Sequence, residues 1–283
     1  MKESWVFRVL SRAVTAAALL WILYAGLLQF YPSPLCYVGV GGACAEASMR
    51  ALEAEPPDDA AFALAERGCQ RGHATSCNNL GVCYQRGTGT KVDLVRARET
   101  YAQACSLADG GACQNQAELL FDGKGGPADE PTATRLLERA CGLGRALPCR
   151  WLMGMNQGER ALHYARKGCA LEDTRSCGMA ALLLAQAEPR SAELRDRIGD
   201  LNKRCANDEA PACGALTLLY SAGVGVEHDL GRAKALADRT CALGVTQACK
   251  VKEQPEILET FSAQFATLVT LAVEGNARNQ PAK

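Results

Sequence analysis

Residues 77–113 read CNNLGVCYQRGTGTKVDLVRARETYAQACSLADGGAC. The stretch closes on Cys105 and Cys113, a C-x7-C pair, and opens on the second cysteine of another, Cys69/Cys77. Outward from there the same spacing recurs at Cys36/Cys44, Cys141/Cys149, Cys169/Cys177, Cys205/Cys213 and Cys241/Cys249. Successive pairs start 33, 36, 36, 28, 36 and 36 residues apart. A period near 36 residues marks a solenoid of stacked supersecondary units.

The units agree beyond their cysteines. Gly87, Gly123 and Gly223 fall ten residues after the second cysteine, and Gly89, Gly125 and Gly225 fall twelve after it. Each glycine pair reads as a turn that needs positive φ. Asp93, Asp129, Glu193 and Asp229 fall twelve before the next cysteine. An acidic residue there suits a helix N-terminus, where it caps free amides and meets the positive end of the dipole. Small residues fall eight before that cysteine (Ala61, Ala97, Ala133, Ala161, Ala233), with Arg197 the exception. Apolar ones fall four before it (Ala65, Tyr101, Leu137, Ala165, Leu201, Ala237), so both positions share one helix face. Each unit is therefore helix A, a glycine turn, helix B, then C-x7-C leading into the next helix A.

The pairs are expected to be disulfides that staple consecutive units at this corner. A closed loop of about nine residues gives a chain-entropy stabilisation of roughly 2.6 kcal/mol per bridge. Zinc is disfavoured: no C-x2-C occurs, and the three histidines, His73, His163 and His228, do not recur with the repeat. C-x2-C redox and haem-attachment motifs are absent as well. Cys83 is the unpaired fifteenth cysteine, at a register held elsewhere by Leu119, Met155, Leu183 and Leu219. It reads as a buried free thiol acting as a small hydrophobe.

Lys plus Arg and Asp plus Glu are 31 each, a balance that argues against nucleic-acid binding. Fifteen cysteines in 283 residues favour an oxidising compartment. Residues 13–31, AVTAAALLWILYAGLLQFY, are almost wholly apolar and as a helix span roughly 28 Å. Lys2, Arg8 and Arg12 precede the run, and the first charge after it is Glu46. The positive-inside bias then puts residues 1–12 in the cytoplasm and the rest beyond the membrane. An uncleaved anchor is expected, with a cleaved signal peptide as the alternative.

The residues Cys77-Asn-Asn-Leu80-Gly81-Val-Cys83-Tyr84, Gly87-Thr-Gly89, Asp93, Ala97, Tyr101 and Ala104-Cys105 resemble the Sel1-like repeat family, a relative of the tetratricopeptide repeats. A second copy runs Cys213, Leu216, Tyr220, Gly223-Val-Gly225-Val, Asp229, Ala233 and Thr240-Cys241. With its cysteines, the chain looks like the cysteine-rich subset first named from Helicobacter. The resemblance covers about residues 36–254. It implies an all-α, α/α superhelical solenoid of TPR-like helix pairs that binds proteins or peptides. The units from Cys141 and Cys177 depart from it, the first eight residues short and both without the glycine turn. Weak β-lactam binding or hydrolysis, and haem or metal carriage in assembly, are implied for some relatives. Neither is carried over, because Ser-x-x-Lys, Lys-Thr-Gly and any ligand constellation are missing here.

The expected organisation is a repeat array over 32–254, a capping helix over 255–274 and a frayed tail over 275–283. Pro255 opens the helix and Ile257, Leu258, Phe261, Phe265 and Leu268 supply its apolar face. In related helical repeats helix A lines the binding surface. That register gives Asn78, Gln85, Gln114, Glu118, Asp122 and Arg150 as candidates for a protein or peptide partner, against a reading as solvated polar residues. Leu182 and Leu218 fall at the register of Glu118 and are expected to form an apolar end. No catalytic residue, metal or cofactor is expected. The expected function is a scaffold anchored in a bacterial inner membrane with its array in the periplasm.

Overall fold

The computed structural model describes residues 32–39, 41–254, 256, 258 and 260. The expected cytoplasmic segment (1–12), anchor (13–31) and tail (275–283) lie outside the described residues, as does most of the expected capping helix. Among the described residues every regular element is a helix. None of them is long and apolar enough to cross a membrane.

The chain divides into two compact units at Leu143/Gly144. The first holds α1 (Pro32–Tyr37), α2 (Gly41–Glu53), α3 (Ala60–Gln70), α4 (Ala74–Arg86), α5 (Leu94–Ser106), α6 (Gly110–Phe121) and α7 (Glu130–Gly142). The second holds α8 (Ala146–Met155), α9 (Gly158–Ala170), α10 (Thr174–Ala187), α11 (Ala192–Ala206), α12 (Ala210–Ala222), α13 (Leu230–Ala242) and α14 (Thr246–Glu253). Within each unit consecutive helices pack on one another. Helices A also pack on helices A: α2 on α4, α4 on α6, and α10 on α12. The fold is an all-helical solenoid of helix pairs.

The corners between helix B and the next helix A that follow Cys69, Cys105, Cys169, Cys205 and Cys241 are built the same way. The first cysteine lies in the last turn of helix B, and three residues later comes a left-handed residue: Gly72, Ala108, Glu172, Asp208 or Gly244, with Gly144 at the same place after Cys141. The next amide reaches back five residues, as in Asp109 N–H to Ala104 C=O (3.1 Å) and Asp173 N–H to Gly168 C=O (3.1 Å), the Schellman closure of a helix end. That same residue is the N-cap of the following helix A, and Asp109 and Asp173 cap it with their side chains. The second cysteine then falls in the first turn. Cys36–Cys44, Cys69–Cys77, Cys105–Cys113, Cys169–Cys177, Cys205–Cys213 and Cys241–Cys249 are bonded, with Cα atoms 4.4–4.8 Å apart. Cys141 and Cys149 are disulfide-bonded too.

Helix B meets helix A through small side chains. Ala61, Ala97, Ala133, Ala161 and Ala233 are all buried, as are the residues one turn on, from Ala65 to Ala237. Asp93, Asp129 and Asp229 cap α5, α7 and α13 through their carboxylates. Glu193 does not follow them. The cap of α11 is Ser191, whose Oγ accepts from the Leu194 amide. Glu193 sits inside the first turn and instead forms a two-pronged pair with Arg166 of α9 (2.9 and 2.7 Å). Arg166, with Arg197 beside it, holds the Glu193 carboxyl below the usual range. Arg197 thus has a place despite its size, its Nη1 2.8 Å from Cys169 Sγ and its Nη2 3.7 Å from Glu193.

The two turn glycines do different work. Both have positive φ, 62° at Gly123 and 73° at Gly125. A Cβ on Gly125 would stand 2.2 Å from the Leu94 carbonyl oxygen in α5, whereas one on Gly123 meets nothing nearer than 3.4 Å. The second glycine is therefore the contact that seats one unit's turn on the preceding helix B. Gly123→Ala is expected to cost about 1–2 kcal/mol for the left-handed backbone alone. Gly125→Ala should cost about 2–4 kcal/mol, since a clash against backbone is added. Urea melts of the two variants check the order, and equal losses would contradict it.

Candidate functional site

Asparagines tie the helices A of the first unit together. Asn79 of α4, 2% exposed, donates through Nδ2 to the Ala45 carbonyl (3.1 Å) and Ser48 Oγ (2.8 Å) of α2. Asn115 of α6, at the same register two residues after its cysteine, donates to Asn78 Oδ1 of α4 at 2.9 Å. The candidate Asn78 is half-buried beside this ladder. Neither Asn79 nor Asn115 is among the candidates read from the sequence, although their recurrence at one register is an available signal.

Three further candidates stand in fixed poses. Gln85, half-buried near the end of α4, accepts from the Tyr101 hydroxyl at 2.6 Å. Burial pushes the Tyr101 phenol well above its ordinary value, with Arg86 opposing and Glu118 reinforcing the shift. The phenol therefore stays a donor, and the Gln85 oxygen faces it, leaving the Gln85 amide hydrogens as the group on offer. On α6, Gln114 donates to Glu118 Oε1 at 3.0 Å. Gln114 is only 9% exposed, and its own Oε1 is buried without a partner. Glu118 is half-buried and makes no ion pair among the described residues. Asp122, exposed at the end of α6, is paired with Lys124 at 2.8 Å.

Arg150 belongs to the second unit. Its guanidinium is engaged by Asp173, the N-cap of α10, at 3.0 Å. That pairing gives it a structural task at a corner. Leu182 and Leu218 are half-buried on α10 and α12 of the second unit. On the same unit Met153, Met179 and Leu183 line a cavity of about 300 Å³ beside Asn156-Gln157-Gly158, the short link that replaces the glycine turn.

Cys83 is a free, buried thiol among Ala51, Leu52, Ala61 and Phe62. Burial pushes it up to about 11, against a small opposing pull from Arg86. It is thus protonated at neutral pH and a poor nucleophile. Because the shift is upward, its contribution to stability is fully present below the unfolded thiol's range and is lost as pH rises towards 11. Among the described residues no group of three or more His, Cys, Asp or Glu is placed to hold a metal ion. Beyond the array, Leu258 is buried in the core of the second unit.

The Sel1 repeat family matches three stretches, residues 74–109, 112–144 and 211–245. No curated protein matches the chain. A solved Sel1 repeat protein from Oxalobacter formigenes superposes with a TM-score of 0.61 at 16% identity, over 80% of this chain and 96% of that one. A protective antigen of uropathogenic Escherichia coli with an SLR fold gives 0.47 at 17% identity, over 83% and 62%. Helicobacter pylori cysteine rich protein B gives 0.37 at 26% identity, over 45% and 93%. At these identities the first superposition establishes a shared fold.

The geometry separates two adjacent asparagines. Asn79→Ala strips two buried partners and is expected to cost about 2–4 kcal/mol. Asn78→Ala, half-exposed and with one bond, should cost about 1 kcal/mol or less. Chemical denaturation of both variants measures the difference; a larger loss at Asn78 would reverse the assignment of which one is structural.

Proposed function

We propose that this Sel1-repeat protein is an extracytoplasmic scaffold, held to the membrane by residues 13–31, that binds a protein or peptide partner on the helix-A face of its first unit. The observation that carries the reading is the pre-set row on α4 and α6. Gln85 is oriented by Tyr101. Glu118 is positioned by Gln114 and makes no ion pair among the described residues. Groups held in place before docking lose little freedom on binding, so their hydrogen bonds count more fully towards affinity. Stapled corners extend that saving to the backbone.

Location follows from the same chemistry. Bridges closing loops this short persist in an oxidising compartment, and the periplasm of a bacterium with the expected inside-positive anchor is one. Within this proposal Asn78, Gln85 and Glu118 form the contact row, Gln114 lies behind it and positions Glu118, and Asp122 extends it. Arg150 is left out, because it stands on the second unit in a half-buried pair with Asp173, whereas the Asp122 pair with Lys124 is open to solvent.

A photo-crosslinking residue placed at Glu118 in intact cells, with Arg135 on α7 as the control, tests the reading. Discrete adducts with an envelope protein at 118 and none at 135 are expected. The same adduct pattern at both positions would overturn the assigned face. Removal of residues 1–31 behind a cleavable leader should move the array from the membrane to the soluble fraction; retention in the membrane would remove the anchor from the account. Turnover of a β-lactam by the pure protein would replace binding with catalysis.

A further inference from the structure

A second site lies on the helix-B side of the first unit, apart from α4 and α6. Tyr37 of α1, Ala63, Glu66, Arg67 and Gln70 of α3, and Arg71 just after it line a cavity of about 520 Å³. Another corner of the chain shows what an arginine at the Arg67 register can bind. Arg239 holds the same place two residues before its cysteine. It donates to the Ala206 carbonyl of the preceding corner (3.0 Å) and to the Asp208 carboxylate from both Nη2 (2.7 Å) and Nε (3.2 Å). Arg139 makes the carbonyl contact alone, to Ser106 at 3.3 Å. At the first corner Arg67 donates to the Tyr37 carbonyl (3.4 Å) and lies 4.7 Å over the Tyr37 ring. The residue at the Asp208 register there is Gly39, which brings no carboxylate.

Arg67 is therefore left as half of a pair. Its Nε is buried and has no hydrogen-bond partner, where the Nε of Arg239 meets Asp208. Arg71 adds a second guanidinium at a register that carries Leu107, Leu143, Leu171 and Leu243 in other units. It is exposed, donates to the Arg67 carbonyl at 3.4 Å, and approaches Cys44 Sγ at 4.0 Å. Among the described residues neither arginine has a carboxylate partner. Tyr37 is 57% exposed and offers an aromatic wall. Glu66 faces the same cavity, so the lining carries two positive charges and one negative. That balance suits a monoanion and disfavours a phosphate dianion.

We propose that the cavity between α1 and α3 binds the carboxylate of a peptide, supplied by an acidic side chain or a chain terminus, in the place that Asp208 takes against Arg239. The guanidinium of Arg67 and the exposed end of Arg71 give a planar carboxylate charge-assisted donors from two sides. The amide of Gln70 and the ring of Tyr37 would meet the flanking peptide.

Calorimetric titration of the purified full chain at low ionic strength tests this with four probes. They are acetyl-Gly-Asp-Gly-amide, acetyl-Gly-Gly-Gly with a free C-terminus, acetyl-Gly-Asn-Gly-amide and inorganic phosphate. Binding of at least one carboxylate peptide is expected, with the Asn peptide silent. The stronger of the two carboxylate probes identifies the source. Arg71→Gln, an exposed change that gives up only the long contacts to the Arg67 carbonyl and Cys44 Sγ, should weaken binding about tenfold, the size of one charge-assisted hydrogen bond. Its disulfide map and melting temperature should be those of the parent. Glu66→Gln should tighten the carboxylate. Equal binding of the Asn peptide, phosphate binding tighter than either carboxylate, no binding by either carboxylate peptide, or an Arg71→Gln variant of parental affinity would each overturn the proposal.

Discussion

Everything in this fold depends on one short reversal of the chain, the corner between the end of a helix B and the start of the next helix A. In nine residues it must end one helix, turn, and begin another whose first turn lies against the last turn of its predecessor. Two covalent and backbone devices share the task. The disulfide brings Cα atoms within 4.4–4.8 Å, and the left-handed residue with its backward amide closes the helix end. Together they over-determine the backbone. That is why Ala108, Glu172 and Asp208 hold φ of 63–65° without being glycine, at a cost that an unstapled turn would relieve by changing shape.

The corner also dictates what packs beside it. Gly68 and Gly168 precede their cysteines, and a Cβ on either would come within 2.3 Å of the buried hydroxyl of Ser76 or Ser176. Where Ala104 stands at the glycine register, Ala112 faces it in place of serine, so volume is conserved across the joint. Helices this close cannot use large side chains, which explains an alanine-rich core and a low aromatic content. The covalent staples add stability to a core built from such small side chains.

Most of this architecture was legible from spacing. The C-x7-C pairs coincide with bonded cysteines, the glycine pairs with left-handed turns, and Asp93, Asp129 and Asp229 with helix caps. Glu193 misled because register alone cannot tell a cap from a first-turn residue; Ser191 two residues earlier was the better acceptor. The candidate face was less legible, because helical periodicity locates a residue and not its partner. Arg150 looked available until Asp173 was seen to hold it. Conversely, the hydroxyl of Tyr101 was read only as core, yet it orients Gln85. The arginines of the first corner gave no signal as a sequence, since what matters there is the carboxylate that Gly39 does not bring.

The proposed binding faces and the proposed compartment both rest on the staples being formed in the cell. Thiol counting on unreduced protein freshly isolated from its native cells, by mass after alkylation under denaturing conditions and with peptide mapping, tests this most directly. One free thiol, at Cys83, with every other cysteine in a local C-x7-C bridge is the predicted result. Several free thiols, or bridges joining cysteines of different corners, would contradict it.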